Sequence, residues 1–144
     1  MLKTLSLLGL LVMVAALVGL YATGNLFSSQ PLVIAFQAAA GLLMIWARVT
    51  FGRRSFHAAA NPTAGGLVTS GPYRYIRHPI YTAVCLFGWA GVAAHRSAAG
   101  VALGVVLLAG GLMRMLSEER LVAERYPEYG EYAKRTKRMI PFVF

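Results

Sequence analysis

The chain has 144 residues, of which 58% are hydrophobic and only 13% are charged. Soluble domains carry about 25% charged residues, so this composition excludes a soluble globule and predicts a membrane protein. The formal net charge is +9, but the basic residues stand in blocks beside apolar runs. Because cytoplasmic membrane loops have this pattern, we expect no nucleic-acid binding. One cysteine and three scattered histidines, with no aspartate, also predict no metal site.

The first two apolar stretches lie between Lys3 and Arg48, in a run of 44 residues without a charge. The first predicted span covers residues 4–22 and would be about 28 Å long as a helix. A secretory signal is the alternative interpretation, but no clear small-x-small cleavage site is present and further apolar stretches follow. Pro31 suits the first position of a helix, so a second span is predicted over residues 31–47.

The third and fourth predicted spans, at residues 79–94 and 97–116, are separated only by His95 and Arg96. Their charge-free runs would give helices of about 24 to 26 Å, slightly shorter than a hydrocarbon core of about 30 Å. They are predicted to form a tight helical hairpin in which Gly100 and Gly104 allow close helix approach. The predicted fold is therefore all-α: a single-domain integral membrane bundle of about four transmembrane helices with a C-terminal cytoplasmic helical segment.

The basic residues predict the orientation of this bundle. Twelve of the fourteen Lys and Arg residues lie in residues 48–78 and 114–144. The positive-inside rule places both regions in the cytoplasm. With four spans, both termini are then cytoplasmic and residues 22–30 lie outside. We expect a multi-pass protein of the cytoplasmic (inner) membrane.

Two stretches outside the spans carry candidate chemistry. In residues 69–81, His78 and Pro79 stand where a helix can begin, and a helix N-terminus beside two arginines favours an anion. Further on, Arg114 and Glu118 are one turn apart on one helix face, where the membrane ends. Each stretch alone also has an ordinary interpretation, as interfacial anchors or as a solvated helix with weak ion pairs.

Together the two stretches resemble the isoprenylcysteine carboxyl methyltransferase and phospholipid methyltransferase family of integral membrane enzymes. The resemblance covers residues 65–142 and combines an Arg-His-Pro-x-Tyr motif, a Glu-Glu helix and a Tyr-rich basic tail. The residues that carry it are Gly71-Pro72-Tyr73-Arg74-Tyr75-Ile76-Arg77-His78-Pro79-Ile80-Tyr81, Glu118-Glu119-Arg120-Leu121, Tyr126-Pro127-Glu128-Tyr129, Tyr132, Lys134, Arg135, Thr136, Arg138 and Pro141.

The resemblance implies methyl transfer from S-adenosylmethionine, bound between residues 65–81 and 114–142. It implies a catalytic pair on the acceptor side, in which Arg114 steadies an acceptor carboxylate. Glu118 would orient Arg114 or take a proton from an amine acceptor. The implied cofactor-binding residues are Tyr73, Arg77, His78, Pro79, Tyr81, Glu119, Tyr126 and Tyr129.

The implied acceptor is lipophilic and enters from the membrane lipid: an isoprenylcysteine-like carboxylate, or a lipid amine or thiol. Ala83 departs from the glycine that commonly follows the Arg-His-Pro-x-Tyr motif, and the four predicted spans are fewer than in the eukaryotic prenylcysteine enzymes. A small lipid or lipophilic metabolite is therefore as good a candidate acceptor as a prenylated protein.

The alternative functions are a small four-span transporter, a nicotinamide-dependent membrane reductase and a noncatalytic membrane assembly protein. The predicted spans contain no acidic residue, whereas coupled transporters usually keep an ionisable residue within the membrane. The Gly-rich stretch Ala64-Gly65-Gly66 lacks the dinucleotide-binding pattern that a reductase would be expected to show. The sequence thus favours the methyltransferase.

Overall fold

The computed structural model describes residues 1–52 and 66–144. Part of the predicted cytoplasmic loop, with Arg53, Arg54 and Gly65, lies outside these described residues. Within them the fold is all-helical, as predicted, and the one strand-like pairing is an isolated parallel bridge between Ile76 and Lys137. The elements are α1 (Leu2–Ala22), α2 (Pro31–Phe51), a 3-10 helix (Gly71–Arg74), α3 (Pro79–His95), α4 (Ala98–Arg125) and α5 (Tyr129–Arg135).

The four predicted apolar stretches correspond to helices α1 to α4. Helices α1, α2 and α4 are long and apolar enough to cross a membrane. Helix α3 is also apolar, but its 17 residues are fewer than the other three helices have. Helix α4 continues beyond residue 116 to Arg125, because no helix-breaking residue follows until Pro127.

The tight hairpin between α3 and α4 is confirmed. Helix α3 ends at His95, and its C-cap residue Arg96 has a left-handed φ of 52° that turns the chain. Ser97 is the N-cap of α4, and its hydroxyl accepts a hydrogen bond of 2.9 Å from the Gly100 backbone N–H. The two helices therefore pack antiparallel with almost no connecting loop.

Helices α1 and α4 contact each other through their backbones. A methyl group added to Gly9 would lie 2.8 Å from the Gly110 carbonyl oxygen, so the two backbones touch. The buried face of α1 consists of Ser6, Gly9, Met13, Ala16 and Leu20, spaced three or four residues apart. Further along the interface, Leu20 and Leu107 are fully buried in the core.

The C-terminal segment folds back onto the start of α3. The Arg77 backbone N–H donates to the Lys137 carbonyl at 2.7 Å, and that of His78 donates to the Arg138 carbonyl at 2.9 Å. The Thr82 hydroxyl donates to the Met139 carbonyl at 2.9 Å. These bonds bring the two chemistry-bearing stretches together at the polar end of the bundle.

Candidate active site

The start of α3 forms one wall of the site. His78 is the N-cap and Pro79 the first helical residue, as predicted. The rings of His78 and Tyr81 stack with centroids 5.6 Å apart and an interplanar angle of 26°. Because residues three apart share a helix face, this stack links the loop before α3 to the side chains that face α4.

Glu119, on the polar part of α4, is surrounded by three basic side chains. Its Oε1 accepts a hydrogen bond from Arg77 Nε at 2.8 Å and lies 3.2 Å from His78 Nε2. Its Oε2 accepts from Arg138 Nε at 3.0 Å. Burial alone would raise the pKa of Glu119, but the hydrogen bonds from His78, Arg77 and Arg138 outweigh it and hold the pKa well below its ordinary value. We call these four residues the Glu119 cluster.

The two arginines of the Glu119 cluster, Arg77 and Arg138, differ in their other contacts and in their exposure. Arg77 Nη1 also donates to the carbonyls of Ala133 at 3.0 Å and Thr136 at 2.6 Å, so Arg77 ties α5 and the chain after it to α3. The Arg138 side chain is 36% exposed and is therefore the most accessible cation of the cluster. Sequence reasoning assigned no role to Arg138, although it lies in the basic tail that carried the resemblance.

The predicted pair of Arg114 and Glu118 is brought together, and Tyr81 joins it. Arg114 Nε donates to the Tyr81 hydroxyl at 2.6 Å, and that hydroxyl donates to Glu118 Oε1 at 2.6 Å. Arg114 Nε also lies 3.2 Å from Glu118 Oε1. Only 6% of Arg114 is exposed. We call these three residues the Arg114 cluster; it contains Tyr81, which the resemblance had assigned to the cofactor.

Tyr73 and Tyr132 connect the 3-10 helix to α5. Tyr73 is buried, its ring centroid is 5.4 Å from that of Phe51, and its carbonyl accepts a hydrogen bond of 2.7 Å from the Tyr132 hydroxyl. Burial raises the pKa of both phenols, that of Tyr132 to about 12. Both therefore remain protonated at neutral pH.

Tyr129 lies near Glu119, whereas Tyr126 lies where α4 ends. Burial, followed by the negative charge of Glu119, raises the pKa of Tyr129. Within residues 1–52 and 66–144, the buried Tyr129 hydroxyl oxygen has no hydrogen-bond partner of good geometry. A buried polar atom of this kind is a candidate ligand contact. The Tyr126 ring centroid lies 6.0 Å from the Arg125 guanidinium.

An apolar cavity of about 180 Å³ lies among α1, α2 and α3. Val84, three residues after Tyr81, lines it, so the cavity lies close to the Arg114 cluster along α3. Ala83, which stands where the family commonly has glycine, also lines it. The full lining is Leu17, Ala40, Gly41, Met44, Ala83, Val84 and Phe87.

A family model described as phospholipid methyltransferase matches residues 31–129. The chain belongs to the phospholipid methyltransferase family. The match covers α2, α3, α4 and both clusters except Arg138, whereas α1 precedes it. Because three helices within residues 1–52 and 66–144 are able to cross a membrane, the chain is a membrane protein of a methyltransferase family.

Two curated proteins are similar to part of this member of the phospholipid methyltransferase family. The cobalt-zinc-cadmium resistance protein CzcN of Cupriavidus metallidurans is 43% identical over 79 residues, which are 52% of this chain and 35% of that protein. The nickel-cobalt-cadmium resistance protein NccN of Alcaligenes xylosoxydans xylosoxydans is 40% identical over 80 residues, which are 52% of this chain and 36% of that protein. The chain thus spans about a third of the length of these relatives. No solved structure matches it.

Proposed function

We propose that the chain is an S-adenosylmethionine-dependent methyltransferase that methylates a lipophilic acceptor at the cytoplasmic face of the membrane. The observation that carries this proposal is the adjacency of two different charged clusters at the polar end of an apolar bundle. The Glu119 cluster and the Arg114 cluster are connected by the stack of His78 on Tyr81. The Glu119 cluster suits a polar cofactor, and the Arg114 cluster suits the polar head of a lipid.

The Glu119 cluster has the donors and the acceptor that the cofactor needs. The two arginines outnumber the one carboxylate, so the cluster carries an excess of positive charge that attracts the cofactor carboxylate. Arg138 is exposed enough to reach a ligand, and Glu119 can accept from an ammonium or ribose hydroxyl. The Tyr129 hydroxyl, whose oxygen is buried near Glu119, offers a further contact. When bound, S-adenosylmethionine supplies an electrophilic methyl group.

The Arg114 cluster suits the acceptor. Arg114 can hold an acceptor carboxylate, while Tyr81 and Glu118 fix the direction of its guanidinium. With an amine acceptor, Glu118 can take the proton that the nitrogen loses. No covalent intermediate is required, because alignment of two bound reactants can contribute about 7 to 11 kcal/mol toward lowering a barrier.

The apolar cavity supports a lipophilic acceptor. Its lining contains only apolar side chains and glycine, and it lies in the membrane-embedded part of the bundle. A hydrocarbon tail there would leave its head near Arg114. An isoprenylcysteine-like carboxylate, a lipid amine and a lipid thiol all meet this description.

Methyl transfer into lipid tests the proposal. We would incubate the detergent-purified protein with methyl-labelled S-adenosylmethionine and a bacterial total lipid extract, with the Arg114→Ala variant as control. The expected result is label in the organic phase that Arg114→Ala reduces at least about 100-fold, the usual effect of removing one preorganised hydrogen-bond donor. Label released by mild alkali indicates a carboxyl ester, whereas stable label indicates an amine or thiol. Absence of label, with cofactor binding intact, would contradict a lipid acceptor.

A further inference from the structure

We infer that helix α1 is a positioning element of the acceptor site, acting on Arg114 through the backbone of Ser6. This inference rests on the proposed function of the Arg114 cluster. Arg114 Nη1 donates to the Ser6 carbonyl oxygen at 3.3 Å. Because α1 precedes residues 31–129, the family match gives no indication of such a role.

The guanidinium of Arg114 is held from two sides. Its Nε contacts Tyr81 and Glu118, on α3 and α4, and its Nη1 contacts Ser6 on α1. A helical carbonyl has a second lone pair beyond the one used in the helix, so Ser6 can accept this bond without breaking α1. Tyr81 and Glu118 contact only Nε, so the guanidinium could still rotate about that atom. The bond from Nη1 to Ser6 restricts this rotation.

Gly9 sets the distance between α1 and Arg114. A methyl group at Gly9 would lie 2.9 Å from the Arg114 backbone nitrogen and 3.1 Å from its Cβ. Neither atom is the end of a flexible side chain, so a larger residue must push α1 away from this turn of α4. The Ser6 carbonyl lies one turn from Gly9 and would move with it.

Gly19 provides a matched control on the same helix. A methyl group there would meet Leu103 Cδ2 at 2.9 Å, the end of a flexible side chain that can turn aside. Gly9→Ala and Gly19→Ala thus make the same chemical change at the same interface. Only Gly9→Ala displaces the turn that holds Arg114.

The experiment compares both variants in the lipid methylation assay and in S-adenosylhomocysteine binding. We expect Gly9→Ala to lower the methylation rate at least tenfold and to keep the dissociation constant within twofold of wild type. Gly19→Ala should leave both within twofold. Unchanged methylation in Gly9→Ala, while wild type binds and transfers, would overturn this inference alone. A wild type that binds no S-adenosylhomocysteine would overturn the proposed function instead.

A double-mutant cycle distinguishes positioning from general damage. If Gly9 acts through Arg114, Gly9→Ala should cost less than twofold in an Arg114→Lys background. A further tenfold loss there would show an independent structural effect and overturn the inference.

Ser6→Val is a second test, because Ser6 is fully buried and the larger, branched side chain adds volume on the buried face of α1. It should reproduce the loss of methylation with binding kept. If Gly9→Ala and Ser6→Val both lost S-adenosylhomocysteine binding as well as methylation, α1 would have only a structural role and the inference would be wrong.

Discussion

Glu118 and Glu119 are neighbours in the sequence, yet their carboxylates belong to two different clusters. Glu118 accepts from Tyr81 at 2.6 Å, whereas Glu119 accepts from Arg77 at 2.8 Å. Consecutive residues on an α-helix point about 100° apart, so one short helical segment can serve both sides of a reaction. In our account this segment of α4 is where the acceptor side meets the cofactor side.

Replacement of the Glu119 carboxylate should destabilise the protein in a pH-dependent way. At neutral pH, Glu119→Gln leaves Arg77 and Arg138 without their counter-ion, and we expect a loss of about 3 kcal/mol. The folded-state pKa of Glu119 is lowered, so its stabilisation is complete above the ordinary carboxyl pKa, about 4.3, and is lost as the pH falls below it. The difference in Tm between wild type and variant should therefore shrink in acid.

The exposed pair of Glu131 and Lys134 provides the control for this measurement. Their atoms lie 2.6 Å apart, but both side chains are more than half exposed. Glu131→Gln should change stability by less than about 1 kcal/mol. An equal loss in both variants at neutral pH would contradict the special role of the Glu119 cluster.

Removal of the Tyr81 hydroxyl should lower the methylation rate, because it weakens the contacts within the Arg114 cluster, but it should preserve cofactor binding. We expect Tyr81→Phe to lower the methylation rate about tenfold, because Arg114 and Glu118 lose the group that joins them. S-adenosylhomocysteine binding should stay within about threefold of wild type, since the ring that stacks on His78 remains. Tyr75→Phe, at a position 53% exposed, should change neither quantity. Loss of binding in Tyr81→Phe would place its hydroxyl on the cofactor side.

The two clusters should separate in mutant kinetics. His78→Ala is expected to weaken S-adenosylhomocysteine binding at least about tenfold, because it removes a neighbour of Glu119 and the ring stacked on Tyr81. Arg114→Ala is expected to spare binding and to lower turnover instead. If His78→Ala left binding unchanged and Arg114→Ala left turnover unchanged, the assignment of the two clusters to cofactor and acceptor would be wrong.

The predicted orientation can be tested by cysteine labelling. In a Cys85→Ala background, a cysteine at Ser28 should react with an impermeant maleimide added to intact cells. A cysteine at Glu128 should react only after the membrane is opened, because the basic C-terminal region is predicted to be cytoplasmic. The reverse pattern would overturn the topology.

Local features of the site could be predicted from the sequence. Pro79 identified the start of α3, and the one-turn spacing of Arg114 and Glu118 predicted their contact, because helix geometry alone fixes both. The hairpin was equally local, since only two residues separate its predicted helices.

Long-range features could not be predicted in this way. The contact that brings Arg138 to Glu119 depends on pairing between residues 76 and 137, which no periodic pattern signals. Of the two glycines predicted to allow close approach in the hairpin, Gly104 lies against Trp89 of α3 as expected, whereas Gly100 lies against Asn25, between α1 and α2. The backbone contact of Gly9 with Gly110 could not be predicted, because small residues are frequent along this chain and spacing alone does not choose among them.

The most direct test of the account is calorimetric titration of S-adenosylhomocysteine into the detergent-purified protein. Wild type and His78→Ala would be compared, with the fold of both verified by circular dichroism. We predict one site per chain in wild type and a dissociation constant at least about tenfold higher in the variant, a difference of about 1.4 kcal/mol. No binding by folded wild-type protein would contradict the central claim that the Glu119 cluster is a cofactor site.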